Sequence, residues 1–191
     1  MSERFTVGVV GAGRVGAVLA ARLRAAGHEI VAVAGESDAS RHRIATLLPG
    51  LTASKPSVVA RACDVLLLTV PDDMLRNVVT VLAASGSLHE GQYVVHTSGR
   101  HGLAVLAPAG AVGARPVALH PAMTFTGTTL DLDRLDGCVF GLTAGRAERE
   151  FAESSGRRVP AGSSDPAAAS ISIASDTSVT RWLAPCARAA W

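Results

Sequence analysis

The sequence predicts an α/β fold: a doubly wound, mainly parallel sheet with helices on both faces over residues 1–150, followed by an irregular tail over residues 151–191. Three observations predict it. Short β-rich apolar runs alternate with helical stretches at the spacing of βαβ units. One run, residues 65–70, is almost unbroken in its apolarity, which suits a strand buried on both faces. The hairpin turns that an antiparallel α+β domain needs are not evident.

Residues 5–10 form the first strand, running into glycine. Val15, Val18, Leu19, Leu23 and Ala26 then share one helical face, and Gly27 stops that helix. Residues 29–34 read as the second strand. Residues 40–48 and 54–62 read as short helices, the first ended by Pro49 and Gly50, the second tolerating Pro56 in its first turn. After the 65–70 strand, Pro71, Asp72 and Asp73 cap a helix whose core stripe is Leu75, Val78, Val79 and Leu82. Residues 93–96 are a strand, 102–106 a short helix, 116–120 a strand and 138–142 the last strand. Beyond Phe151 the chain turns to Ala, Ser, Arg, Pro and Gly, too sparse in apolar side chains to specify a core.

Composition bounds the function. Residues are 48% hydrophobic and 18% charged, an ordinary globular balance. Net charge is +2, aromatics make up 4%, and the arginines are scattered, so nucleic acid is not an expected partner. No segment approaches the roughly 20 apolar residues of a membrane span. Cys63, Cys138 and Cys186 match no metal or redox spacing, no histidine–carboxylate cluster has metal spacing, and a cytoplasmic, reducing compartment is expected. Lys55 is the only lysine among 18 basic residues, a bias that fits GC-rich coding.

The chemistry starts at Gly11, Ala12, Gly13, Arg14, Val15 and Gly16, a G-x-G-x-x-G match between the first strand and an amphipathic helix. That context makes it a dinucleotide fingerprint of the Rossmann type. Gly11 permits the tight turn, Gly13 lets the backbone approach a pyrophosphate, and Gly16 lets helix and strand pack closely. The helix N-terminus offers free N–H groups to the diphosphate. A flavin site would usually need a longer chain, and a methyltransferase would place an acid near the end of the first strand, where Val9 and Val10 stand. Glu36 sits where an acid would bond the ribose 2′-hydroxyl of NAD, whereas Ser37 and Arg41, with Arg43 beyond, suit the 2′-phosphate of NADP. NADP is the expectation, NAD the alternative. Val70, Pro71 and Asp72 follow a strand at the sheet's carboxyl edge, where ligands bind in open α/β folds; Asp72 and Asp73 fit equally as helix caps.

The fingerprint, Thr69 through Asp72, His96 through Gly99, and Leu119 through Phe125 together resemble a bacterial two-domain family. Its members join an N-terminal Rossmann-like NAD(P)-binding domain to a helical C-terminal domain. The family is similar to pyrroline-5-carboxylate reductase, the deazaflavin-dependent NADP reductases and the 6-phosphogluconate dehydrogenase superfamily. The resemblance covers about residues 5–150, the N-terminal part only. It implies an oxidoreductase that moves hydride to or from a small carbonyl, imine or hydroxy substrate, and a homodimer for full-length members. Ser98, in the loop after residue 96, is placed to hydrogen-bond substrate or carboxamide, and Thr97 could do the same. His120 is the candidate proton donor, with a structural histidine anchoring the loop around Pro121 as the competing reading. His28, His42, His89 and His101 are expected to be exposed. The tail lacks the long amphipathic helices of the second domain, as a truncated or frameshifted remnant would. A dinucleotide-binding module without turnover is the alternative function.

Overall fold

The computed structural model describes residues 4–145 and residue 148, together with the backbone of 157–158 and 177–181. Five strands run parallel: β1 (Thr6–Val10), β2 (Glu29–Ala34), β3 (Val65–Leu68), β4 (Tyr93–His96) and β5 (Arg115–Pro121). Helices α1 (Arg14–Ala25), α2 (Asp38–Leu47), α3 (Pro56–Arg61), α4 (Asp72–Ala84) and α5 (Ala107–Ala111) connect them, with a 3₁₀ turn at Leu103–Leu106. Then come α6 (Leu130–Arg134) and β6 (Val139–Ala144).

The strand alternation explains the two-sided core. All four residues of β3 are buried. Val65 and Leu67 enter one apolar cluster with Val18 and Leu19 of α1; Leu66 and Leu68 enter the other with Leu75, Val79 and Leu82 of α4. Side chains of period two on a sheet covered by helices on both faces require this division. The doubly wound fold is thus the one the sequence predicts.

Strand order is β2-β1-β3-β4-β5-β6-β8-β7, where β7 is Arg157–Arg158 and β8 is Thr177–Arg181. Three features differ from expectation. β6 lies antiparallel to β5, with Leu119 opposite Leu142, because the loop through α6 reverses the chain instead of crossing the sheet. α6 itself was not anticipated: its Asp131 is buried, which a polar pattern does not signal. Within the stretch expected to be irregular, β8 pairs antiparallel with β6, and β7 with β8. The rest of residues 151–191 lies outside the described residues, as does Cys186. No helix of the described residues is long and apolar enough to cross a membrane.

Candidate dinucleotide and substrate site

Ala34, Val10, Leu68, His96 and Ala118 form one row across the five parallel strands. The candidate residues stand just past that row, at the carboxyl ends of the strands. The chain goes from β1 to β2 on one side and reaches β3 on the other, so the crevice beside β1 is the topological switch point where ligands bind in this class of sheet.

The glycine turn is built from both sides of that crevice. The Ala34 carbonyl accepts the N–H groups of Gly11 (3.0 Å) and Ala12 (2.8 Å). Just past β3, the Thr69 hydroxyl donates to the Gly11 carbonyl at 2.7 Å. Gly11 has φ +99°, and a Cβ there would lie 2.7 Å from the backbone of Thr69 and Val70. At Gly16 a Cβ would meet the Thr69 Oγ1 at 2.2 Å and the Gly11 carbonyl at 2.4 Å. Both glycines are therefore required by the fold itself. Gly13 is not. Its φ of −76° suits any residue, and the nearest atom to a Cβ there is the Gly11 carbonyl, 3.9 Å away.

Helix α1 begins beside this open face with no acidic residue in its first turn and no side-chain cap. Among the described residues the N–H groups of Arg14, Val15 and Gly16 have no acceptor. Free donors, the positive end of a helix dipole and open space beside Gly13 fit a diphosphate.

The ribose candidates at the end of β2 are placed next to the turn. A Cβ on Gly35 would lie 3.2 Å from that of Ala12. Glu36 and Ser37 are exposed, and Ser37 caps α2 through a 3.1 Å bond from the Ser40 N–H. The Arg41 guanidinium folds back, pairing with Asp38 at 2.6 Å and with the Glu36 carbonyl.

On the other side of the switch point, Val70 and Asp72 are half-buried and Pro71 is exposed. Pro71 takes the cap position of α4 without any side-chain capping bond; Asp72 and Asp73 occupy its first turn, so neither acts as the expected cap. The Asp72 carbonyl is 3.2 Å from His101 Nε2, which donates to it.

His96 and His120 have opposite situations. His96 is fully buried, and burial holds its pKa below the ordinary imidazole range, the Gly102 carbonyl opposing. The Ser98 N–H donates to His96 Nδ1 (3.2 Å), so in the neutral ring the proton is on Nε2, facing the Gly102 carbonyl at 3.3 Å. This histidine shapes the loop. His120 is exposed, and its Nδ1 donates to the Thr97 carbonyl at 3.1 Å, leaving Nε2 for a ligand. Gly99 packs against that ring, where a Cβ would be 2.7 Å from Cε1. Ser98 sits between these two contacts, its Oγ accepting the Arg100 N–H at 3.1 Å and keeping its own proton to donate. Ser98 and His120 are thus brought to one loop cluster. Of the four histidines expected to be exposed, His42 and His89 are; His28 and His101 are half-buried because Phe5 and Asp72 come to them from distant segments.

A model of the Rossmann-like domain matches residues 1–121. No curated protein matches the sequence. Among solved structures, the chain is similar to a Bacteroides fragilis protein assigned as an NADP oxidoreductase (20% identity, TM-score 0.66, covering 81% of this chain and 57% of that one). It is also similar to pyrroline-5-carboxylate reductase from Coxiella burnetii (17%, 0.63, 80% and 55%) and to Synechocystis arogenate dehydrogenase (18%, 0.62, 78% and 55%). At these identities the likeness is one of fold, and the chain spans just over half the length of those structures. With a family match across nearly two-thirds of its length, on the fold described above, the chain belongs to the Rossmann-like domain family.

Proposed function

We propose that this chain binds NAD(P) and serves an oxidoreductase that moves hydride to or from a small carbonyl, imine or hydroxy compound. The observation that carries the reading is Gly13. The fold requires Gly11 and Gly16, whereas among the described residues no atom crowds the place of a Cβ at Gly13, where only the mild preference of a helix N-cap for glycine acts from within. A ligand backbone approaching from outside does.

The turn from Gly11 through Gly16, with Ala12, Arg14 and Val15, would hold the diphosphate on the free N–H groups of α1. Glu36, Ser37 and Arg41 would border the adenosine ribose, and Val70, Pro71 and Asp72 the opposite wall of the crevice. We favour NADP because the planar donors of Arg41 suit a 2′-phosphate, for which it would exchange Asp38; NAD is the alternative, its 2′-hydroxyl met by the exposed Glu36. The bound nicotinamide supplies or takes up the hydride. His120 Nε2 would hold the proton that accompanies it, oriented by the Thr97 carbonyl. The Ser98 hydroxyl would hydrogen-bond the substrate. The buried free thiols of Cys63 and Cys138 support a reducing, cytoplasmic setting.

The exposure of His120 favours a second reading, in which cofactor binds without turnover because no described residue covers the proton donor against water. Calorimetry with NADP⁺ and NAD⁺ tests the common part; failure of both to bind rejects it. Oxidation of reduced cofactor across a panel of carbonyl and imine compounds separates the two readings.

A further inference from the structure

His96 closes β4, and the period of the strand places it on the face of Val94, which belongs to the apolar cluster under α4. An apolar side chain would fill this buried position without polar cost, whereas an imidazole there needs both nitrogens satisfied. Both are. Nδ1 accepts the Ser98 N–H at 3.2 Å, and Nε2 donates to the Gly102 carbonyl at 3.3 Å. Burial lowers the pKa of the ring, so it stays neutral and Nδ1 stays an acceptor.

The bond to Ser98 continues on the other side of the backbone. The Ser98 N–H and the Thr97 carbonyl belong to one peptide unit, trans and planar, so the two groups point in opposite directions. The Thr97 carbonyl accepts from His120 Nδ1 at 3.1 Å. Two histidines thus meet through a single peptide: His120 Nδ1–H donates to its oxygen, and its N–H donates to His96 Nδ1. Fixing the plane at Ser98 fixes the carbonyl that sets the His120 tautomer. Hydrogen bonds in series also polarise one another, so a peptide that donates its N–H is a stronger acceptor at its oxygen. Among the described residues the Ser98 N–H has no other acceptor. The other loop contacts, Arg100 N–H to Ser98 Oγ and His101 to the Asp72 carbonyl, do not involve this peptide.

We infer that His96 is a positioning residue for the acid–base group: it holds the Thr97–Ser98 peptide, and through that peptide it sets the tautomer and aim of His120. This rests on the reading of His120 as the proton donor and deepens it. His96 itself is sealed beneath the loop and has no surface to offer cofactor or substrate.

Two substitutions separate the two ends of the ring. Asparagine places its Oδ1 where Nδ1 of histidine stands, and it commonly bonds a backbone N–H two residues on, so His96→Asn keeps the Ser98 bond and loses the Gly102 bond. Glutamine reaches the position of Nε2, so His96→Gln keeps the Gly102 bond and loses the Ser98 bond. The readout is nitrogen NMR of the histidine rings in the full chain at about pH 8.5, some two units above the ordinary imidazole value. Wild type should show neutral His120 with its proton on Nδ1, and a scalar coupling across the hydrogen bond from the Ser98 amide nitrogen to His96 Nδ1. His96→Asn should keep the His120 tautomer, and His96→Gln should shift it towards the form protonated on Nε2. Where turnover is measurable, His96→Gln should lower kcat at least about tenfold, part of what a positioned proton donor contributes, with His96→Asn recovering most of that loss and cofactor Kd within twofold in both. Wild-type His120 protonated on Nε2, or a missing Ser98 coupling, overturns the inference. So does a His120 tautomer that His96→Gln preserves or that both variants lose alike. Circular dichroism checks each fold; if one variant fails to fold, the wild-type tautomer and coupling decide together with the other. These resonances need no ligand, so their failure leaves the cofactor reading standing, whereas failure of both dinucleotides to bind rejects that reading and leaves the resonances unchanged.

Discussion

Replacing Gly13 and Gly16 separately should give opposite outcomes, because one glycine faces outward and the other inward. At Gly13 a new Cβ meets nothing closer than 3.9 Å, and its backbone angles accept a β-branched residue. Valine is a poorer helix cap than glycine, but it also narrows the unfolded ensemble, a gain of about 0.4–1 kcal/mol that offsets most of the loss. The melting temperature of Gly13→Val should therefore stay within about 2 °C of wild type, at roughly 2–4 °C per kcal/mol for a chain of this size. Its NAD(P) affinity should fall at least about tenfold, or ~1.4 kcal/mol, because the isopropyl group occupies the ligand's side of the turn. In Gly16→Ala the methyl group would lie 2.2 Å from the Thr69 Oγ1 and 2.4 Å from a backbone carbonyl, so the crevice itself must shift. Overpacking of this kind costs about 1–3 kcal/mol, hence a drop of roughly 2–12 °C. Scanning calorimetry and titration calorimetry on both proteins provide the four numbers. Unchanged affinity in Gly13→Val would refute the reasoning, since only the helix-cap preference would then account for the glycine.

Three further expectations follow from single groups. His120→Gln should lower turnover by about 10²–10⁴ while leaving cofactor affinity within twofold; equal activity would return His120 to a structural role. Burial pushes the Cys63 thiol up to about 11 and raises Cys138 as well, so neither should react with iodoacetamide at pH 8 until the protein unfolds, as peptide mass mapping would show. Stability should decline in two stages on acidification, read as urea midpoints. His96 and His28, lowered by burial from 6.5, take up protons more readily when unfolded, so stability falls as pH drops below about 6.5. For Asp131, burial is outweighed by the N–H groups of Gly127 and Thr126, and its pKa lies below 3.8; that contribution is present above 3.8 and disappears as pH falls through the lowered value. A flat profile from pH 7 to 5 would contradict the burial of His96.

What the sequence discloses and what it conceals divide along sequence separation. β3 and α4 are legible because a buried strand and an amphipathic helix each carry their pattern locally. The fingerprint is legible because all its glycines fall within six residues. Strand direction is not: alternation reads the same parallel or antiparallel, so residues 138–142 read as a strand without disclosing the reversal of β6. Nor is partnership over distance. His101 looks exposed near a turn, but Asp72 reaches it; Arg43 looks like a solvated helix residue, but Gly127 arrives from beyond β5. In β8 the β-branched Thr177, Val179 and Thr180 carry a strand signal, diluted by the serine and arginine beside them.

Gly99 shows how a glycine can connect the fold to the reacting end of the site. A Cβ there would lie 2.7 Å from His120 Cε1, 2.9 Å from Nε2 and 3.0 Å from Nδ1, so it would press on the whole ring. The ring is exposed and free to swing outward, which keeps the stability loss of Gly99→Ala below about 1 kcal/mol, as for most surface substitutions. The swing, however, takes Nδ1 away from the Thr97 carbonyl that fixes its tautomer and its aim. Gly99→Ala should therefore shift the His120 Cε1–H resonance while leaving that of buried His96 in place. Where turnover is measurable, kcat should fall and the cofactor Kd should not. The same change leaves the Gly13 neighbourhood untouched, so hydride chemistry and cofactor binding should prove separable by mutation. An unmoved His120 resonance would mean that the ring accommodates the methyl group in place, and that Gly99 has no part in orienting it.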